Sequence, residues 1–391
     1  MWKHFYLVYV TLFIFSCTHN TIQVVNEEKG KLTATHELVI NGEKKFYLDS
    51  VTAPFPPYTQ MITDSTGNNL FTFLNPYNNS IYFYNYTDTN YINRIQYYRE
   101  GANAILKPAG YYIHNMDSIY IYNMPMTEIV LSNDAGMVND KISLRSNDPE
   151  WPLYLPQYLL STVNPIYEID RHLIITGQSF FSIPEQNLSK FRFSAYIDIQ
   201  NNQVNYSHTY PEEIYGKNSN WEGGLPTQVY PALSPNGSLI YSFPASHDLY
   251  ISDYDSNEYK KVYGGSNNAN TIRSIDREAK NTPDELVVAH YLQQDMYAAV
   301  LYDKFRDIYY RFLLKGVPGA TFSTPKEEKP IMIIIMDENF NYLGETNIGT
   351  GKEWNWNNSF ITREGLNIEF IGDDLNEDYL TFKIFSMDSI N

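Results

Sequence analysis

From about Leu32 to the C-terminus, short apolar runs alternate with clusters of Asn, Gly, Pro and Asp, and sustained helical periodicity is nearly absent. Runs of four to eight residues rich in Val, Ile, Tyr and Phe and bounded by such clusters predict β-strands. The strands fall into fours. The first four are Gln60–Thr63, Leu70–Leu74, Ser80–Asn85 and Tyr91–Gln96. The second are Gly110–His114, Ser118–Tyr122, Glu128–Ser132 and Lys141–Leu144. Ser80-Ile-Tyr-Phe-Tyr-Asn85 nearly recurs as Ser118-Ile-Tyr-Ile-Tyr-Asn123, but at a different place within its group. A third group spans roughly 157 to 210 with longer insertions, and a fourth is Val229–Leu233, Ser238–Phe243, Asp248–Asp253 and Glu258–Tyr263. The fifth joins Tyr297–Tyr302 and Ile308–Leu314 to Met332–Met336 and Tyr342–Asn347. The sixth offers only Ser359–Thr362, Leu366–Ile371 and Tyr379–Phe385. One helix is expected, over Pro283 to Gln293.

Four-strand units of this length are the period of a β-propeller, a ring that leaves few exposed strand edges. His36–Ile40 or Lys45–Leu48 is the natural supplier of the missing strand. The expected fold is therefore an all-β, six-bladed propeller over residues 31–391, closed by an N-terminal strand. Seven blades, or tandem β-sandwiches, are the alternatives.

Composition adds a location. Lys3 and His4 precede an apolar run from Phe5 to Phe15, which ends in Ser16-Cys17. That is the layout of a secretory signal, and at roughly 1.5 Å per residue it is too short to cross a bilayer. Cys17, the only cysteine, follows a small residue as in the lipobox of bacterial lipoproteins. Residues 1–16 are then a signal peptide, Cys17 the acylated residue, and 17–30 a flexible polar tether to a membrane. Removing 1–16 takes away Lys3 and moves the net charge from −17 to −18. Such acidity argues against nucleic acid as a partner.

Taken together, the lipobox, the acidic Tyr- and Asn-rich composition and the six strand groups resemble the Bacteroidota lipoproteins with six-bladed, TolB-like propellers and a domain of unknown function. Tyr98-Arg-Glu-Gly-Ala-Asn103 resembles the inter-blade turn of that group, as do Ile333–Glu345 and Arg363-Glu-Gly-Leu366. The resemblance implies the fold and an outer-membrane envelope location. It carries over no catalytic residue.

Chemistry-bearing motifs are sparse. No two of the eight histidines lie within four residues, which excludes local zinc spacings. Asp253-Tyr-Asp255-Ser-Asn257 opens like a calcium loop, but Glu258 and Gly264 stand where that loop needs Gly and Glu. It and Asp373-Asp-Leu-Asn-Glu-Asp378 read as polar turns, with a loosely held Ca²⁺ as the alternative and no other cofactor expected. No nucleophile elbow or phosphate loop is present. Asp-Ser/Thr-apolar triplets at 49, 64, 117 and 388 match the O-glycosylation pattern of Bacteroidota. Arg311 reads as a structural residue, paired with an acidic neighbour.

The connections between blades carry the candidate ligand contacts: Arg99, Glu100, Asn103, Asn218, Trp221, Glu222, Arg273, Trp354 and Trp356. Tryptophan beside Asn, Glu and Arg combines an apolar plate with directional hydrogen bonds, which suits sugar rings and aromatic side chains. The expected role is a binding or scaffold module for a glycan, peptide or envelope protein. A metal-dependent hydrolase or lactonase, and a structural subunit of an envelope complex, are the alternatives.

Overall fold

The computed structural model describes residues 21–180, 183, 187–216, 220–222, 224–276, 282–372 and 377–390. Six four-stranded antiparallel sheets form the blades of a propeller ring. Blade 1 is Thr59–Thr63, Asn69–Asn75, Ser80–Asn85 and Tyr91–Gln96; blade 2 is Pro108–Asn115, Ser118–Asn123, Glu128–Ser132 and Val138–Ser143. Blade 3 is Tyr167–Ile169, His172–Thr176, Ser194–Asp198 and Gln203–Ser207; blade 4 is Tyr230–Leu233, Leu239–Ser242, Asp248–Ser252 and Lys260–Tyr263. Blade 5 comprises Met296–Asp303, Ile308–Leu314, Pro330–Asp337 and Tyr342–Thr350.

Blade 6 contains Trp354–Thr362, Gly365–Phe370 and Tyr379–Ser389, and its outer strand is the N-terminal His36–Tyr47. The two expected closing segments are halves of this one strand, joined through a bulge between Ile40 and Gly42. It also touches blade 5: the Thr35 amide donates to the Leu343 carbonyl (2.8 Å) and the Leu38 amide to the Thr346 hydroxyl (2.8 Å).

Middle strands lie between neighbouring blades on both faces, so their apolar residues run without alternation. All of Ile308–Leu314 is buried, including its arginine. Outer strands face solvent on one side, and Tyr91–Gln96 is mostly exposed. The tyrosines and phenylalanines fill the wedges between blades: Phe46, Phe71, Phe360 and Phe382 join blades 6 and 1, for instance.

Arg311 stands between blades 5 and 4, fully buried, with its guanidinium 3.9 Å from the Tyr297 ring. It has no carboxylate partner within salt-bridge reach, contrary to expectation. Instead Nε donates to the Ser242 hydroxyl and the two terminal nitrogens to the carbonyls of Ser246, His247, Asp248 and Gly264. The tight 243–248 turn leaves three of those carbonyls pointing inward, the end of the outer strand supplies the fourth, and a planar five-donor group matches them.

The part of the 17–30 tether that is described does not hang free: Gln23–Val24 pairs with Ile272–Arg273, and Asn26 is buried, donating to the carbonyls of Ser266 (2.8 Å) and Ala269 (3.2 Å). Asn26, Lys29 and Leu32 are hydrogen-bonded to the polar inter-blade loop 266–270. Cys17 and the signal stretch lie outside the described residues.

Candidate functional site

Each blade runs as a meander, so all inner strands begin on one face, here the mouth face, where connections from the previous blade arrive. The channel below is not open. The connection from blade 2 to blade 3 drops residues 157–166 into the axis. The Thr59 amide of blade 1 donates to the Thr162 hydroxyl (2.9 Å), which donates to Asn358 Oδ1 of blade 6 (2.7 Å). Val163 is fully buried in one cluster with Tyr230, Ala298 and Ala299 of blades 4 and 5. Gln157 bridges Gln178 beyond the second strand of blade 3. On blade 2, a Cβ at Gly110 would lie 2.8 Å from Leu160, so that inner strand admits the plug only with glycine there.

Above the plug, between blades 4, 5 and 6, the mouth keeps a cavity of about 270 Å³. Its walls include Tyr230, Tyr291, Trp354 and Trp356, with Asn355, Asn357, Lys326 and Glu327 as polar groups. Helix α1 (Asp284–Gln293) supplies Tyr291. Lys329 fastens the end of this helix: its ammonium donates to the carbonyls of Tyr291, Leu292 and Gln294 (3.1, 3.3 and 2.6 Å), the orphan acceptors of a helix C-terminus. Burial pulls its pKa down to about 7.

The fourth wall depends on an irregularity. In strand Trp354–Thr362 the register against Gly365–Phe370 jumps from Asn355 opposite Glu369 to Ser359 opposite Ile368, so Trp356, Asn357 and Asn358 are looped out. Glu369, 2% exposed, gathers the loop: its Oε2 accepts from the amides of Asn355 (2.6 Å) and Asn358 (3.0 Å). Burial lifts this carboxyl to about 7, against the pull of the two amides. The ordinary value is 4.5, so between pH 4.5 and 7 the native state holds more protons than the unfolded chain, and stability falls as pH rises through that window. Above it the cost is ~3 kcal/mol. Urea unfolding of Glu369→Gln is expected to show a gain of about 2 kcal/mol at pH 8 and almost none at pH 4.5. Equal gains at both pH values count against an ionised buried carboxylate.

The expected ligand contacts do not form one ring. Trp354 and Trp356 do line the mouth cavity, although they belong to a strand and not to a loop. Trp354 is 6% exposed and packs on Phe370 and Phe385; Trp356 meets Tyr230 at 5.8 Å and Phe312 at 6.1 Å. Trp221 is a core residue: it is buried, donates Nε1–H to the Ile214 carbonyl (2.9 Å) and packs on Tyr215. The adjacent Glu222 is half-buried, and burial raises its carboxyl.

Arg273 lies on a second, polar cleft of about 410 Å³ with Asn26, Lys29 and Asp295, and its carbonyl accepts from His290 Nε2 (2.7 Å). Arg99 ties down blade 1, donating to the carbonyls of Pro76 and Tyr77, while Asn103 Oδ1 accepts from the Val138 amide and Glu100 is exposed. Asn218 falls outside the described residues. Asp253 accepts from the Ser238 hydroxyl and Asn257 Oδ1 from the His208 amide, the bonding of a polar turn. Among the described residues, no three His, Cys, Asp or Glu side chains group as a metal site.

Sequence reasoning missed Glu369, Lys329, Tyr291 and the plug. One signal was present for the first: Asn355, Asn357 and Asn358 are poor strand formers.

Compared with known families, the chain matches the model of a domain of unknown function, DUF4221, over residues 35–347. The chain belongs to the DUF4221 family. A DUF4221 crystal structure from Bacteroides vulgatus is 16% identical with a TM-score of 0.74, covering 91% of this chain and 99% of that one. A candidate exported protein of Bacteroides fragilis is 11% identical with a TM-score of 0.53, covering 90% and 96%. At these identities the likeness concerns the fold alone. No curated protein matches the chain. In this DUF4221 chain, no helix among the described residues is long and apolar enough to cross a membrane.

Proposed function

We propose that this protein is a lipid-anchored recognition module of the outer membrane, which binds a peptide or protein partner on the mouth face and seats an apolar side chain in the cavity beside Trp356. The supporting observation is the asymmetry between the two faces. The loops of the mouth face carry Phe55, Tyr77, Tyr98, Leu153, Phe180 and Phe322, which are between 44% and 68% exposed. The turns of the opposite face expose Met137 and Phe305, but acidic residues recur in them, among them Asp64, Asp117, Asp170, Asp255, Asp307 and Glu338. These side chains stand around the mouth of a cavity walled by Tyr230, Tyr291, Trp354 and Trp356, and it is this combination that supports an interaction surface.

Cavity size and lining fit one aromatic or branched side chain, with Asn355 and Asn357 placed to bond the adjoining backbone. A glycan is the second reading, favoured by the same pairing of tryptophan with amides. The hydrolase alternative lacks a ligand cluster among the described residues. The anchor rests on Cys17 and the apolar run before it.

The test pairs two variants. The mature chain is screened on peptide and glycan arrays, and Trp356→Ala is expected to weaken the selected ligand at least about tenfold while the protein stays folded. Cys17→Ser is expected to move the protein from the membrane to the soluble fraction. Unchanged binding by Trp356→Ala removes the cavity from the proposal, and a soluble wild type removes the anchor.

A further inference from the structure

Glu369 is almost wholly buried and pairs with no cation among the described residues, yet it is the carboxylate that holds the looped-out residues of the inner strand of blade 6. A three-residue excess in a ladder is not self-supporting, because its amides have lost their strand partners. Here Asn355, at the start of the loop, and Asn358, at its end, are drawn to one oxygen atom of one side chain. The loop between them is therefore closed like a purse, and Trp356 is thrown outward into the cavity wall. Asn358 continues the chain of bonds through Thr162 to Thr59, so the same carboxylate is linked to the plug and to blade 1.

We propose that Glu369 is a positioning residue for the mouth cavity: when ionised it clamps Asn355 and Asn358 and fixes Trp356 as the wall, and when protonated it lets that wall slacken. Both amides bond the same oxygen, so loss of the negative charge turns two charge-assisted bonds into neutral ones. One other group on the cavity titrates in the same range: Lys329, drawn down by burial to about 7, on the wall opposite the loop. The inner strand Trp354–Thr362, the blade 1 inner strand Thr59–Thr63 and plug residues 157–166 contain no charged or titratable side chain except Tyr158. On its own strand Glu369 is the sole ionisable group, and from the third strand Lys383 is engaged with Glu43 and the Phe370 ring. The carboxyl, lifted to about 7, changes charge within the neutral range.

Only the consequence for ligand affinity rests on the recognition role; the movement of Trp356 does not. The test therefore reads the tryptophan and not a ligand. Acrylamide quenching is measured from pH 5 to 9 on the wild type and on Trp356→Phe, and the difference isolates Trp356. Quenching of Trp356 is expected to rise about twofold on acidification, with a midpoint near neutral pH. In Glu369→Gln, which presents a neutral acceptor at every pH, the signal is expected to be flat and equal to the acid limit of the wild type. Asn358→Leu, with folding checked by circular dichroism, is expected to give the same flat signal. A wild-type signal that does not change with pH overturns the proposal, and so does a transition that survives in Glu369→Gln. Lys329→Met, which removes the other group titrating near neutral pH, is expected to keep the transition, and its loss there overturns the proposal. Failure of the array screen alongside a positive titration would strike the recognition role and leave the clamp standing.

Discussion

Replacing Arg311 by methionine is expected to lower the unfolding free energy by about 4 kcal/mol, a fall in Tm on the order of 5 °C. Methionine occupies similar volume, so the loss is one of hydrogen bonding. Burial draws the guanidinium down to about 10, so it is still a cation at neutral pH. Five acceptors of blade 4 and the Tyr297 ring surround it at hydrogen-bonding and stacking distance. Without it, the carbonyls of Ser246, His247, Asp248 and Gly264 face an apolar group with no water to replace the donor. Arg311→Lys tests the geometry separately. A lysine keeps the charge but offers three donors from one point, so more than half of the loss is expected to persist. A methionine variant that melts with the wild type refutes the assignment of Arg311 as the fastener of blades 4 and 5.

The second large effect is expected at Gly344, on the outer strand of blade 5. A Cβ there would lie 1.8 Å from the backbone carbonyl oxygen of His36, which no side-chain rotation relieves. Gly344→Ala must push the first residues of the closing strand off blade 5, breaking the Thr35–Leu343 and Leu38–Thr346 bonds. The expected cost is about 3 kcal/mol in urea unfolding, with faster proteolytic cutting before Phe46. Wild-type stability together with an intact N-terminus would show that the two strands do not meet this closely.

Blades 1 and 4 were legible almost residue by residue, because their strands are short, rich in Tyr, Ile and Leu, and separated by turns such as Ser65-Thr66-Gly67 and Pro235-Asn236-Gly237. Blade 6 was legible only from Ser359 onward. The run Trp354-Asn-Trp-Asn-Asn358 reads as loop, and its pairing with Gly365–Phe370 is visible only once the bulge is seen. The plug left no local mark. Tyr158, Leu160 and Val163 form no alternating pattern, and what buries them is the convergence of six blades, each distant in sequence. Glu369 was hidden for a related reason. Alternation along Leu366–Phe370 would place it opposite the apolar residues and in water, but both faces of a second strand are covered. The candidate site was thus half legible. Aromatic residues near the mouth could be read from composition, whereas the buried polar groups that aim them could not.

The outer strand of blade 6 gives synthesis an order that the finished ring conceals. His36–Tyr47 leaves the ribosome early, and its partner Tyr379–Ser389 comes last; Glu43 and Lys383, which face each other across the ladder, are 340 positions apart. Until Tyr379–Ser389 reaches it, the first strand has an unpaired edge and the ring cannot shut. Pairing segments so remote is expected to be slow, because the chain between them must be ordered first. A chain cut before residue 379 is therefore expected to expose His36–Tyr47 to proteases, so that damage on one side of the seam is felt on the other.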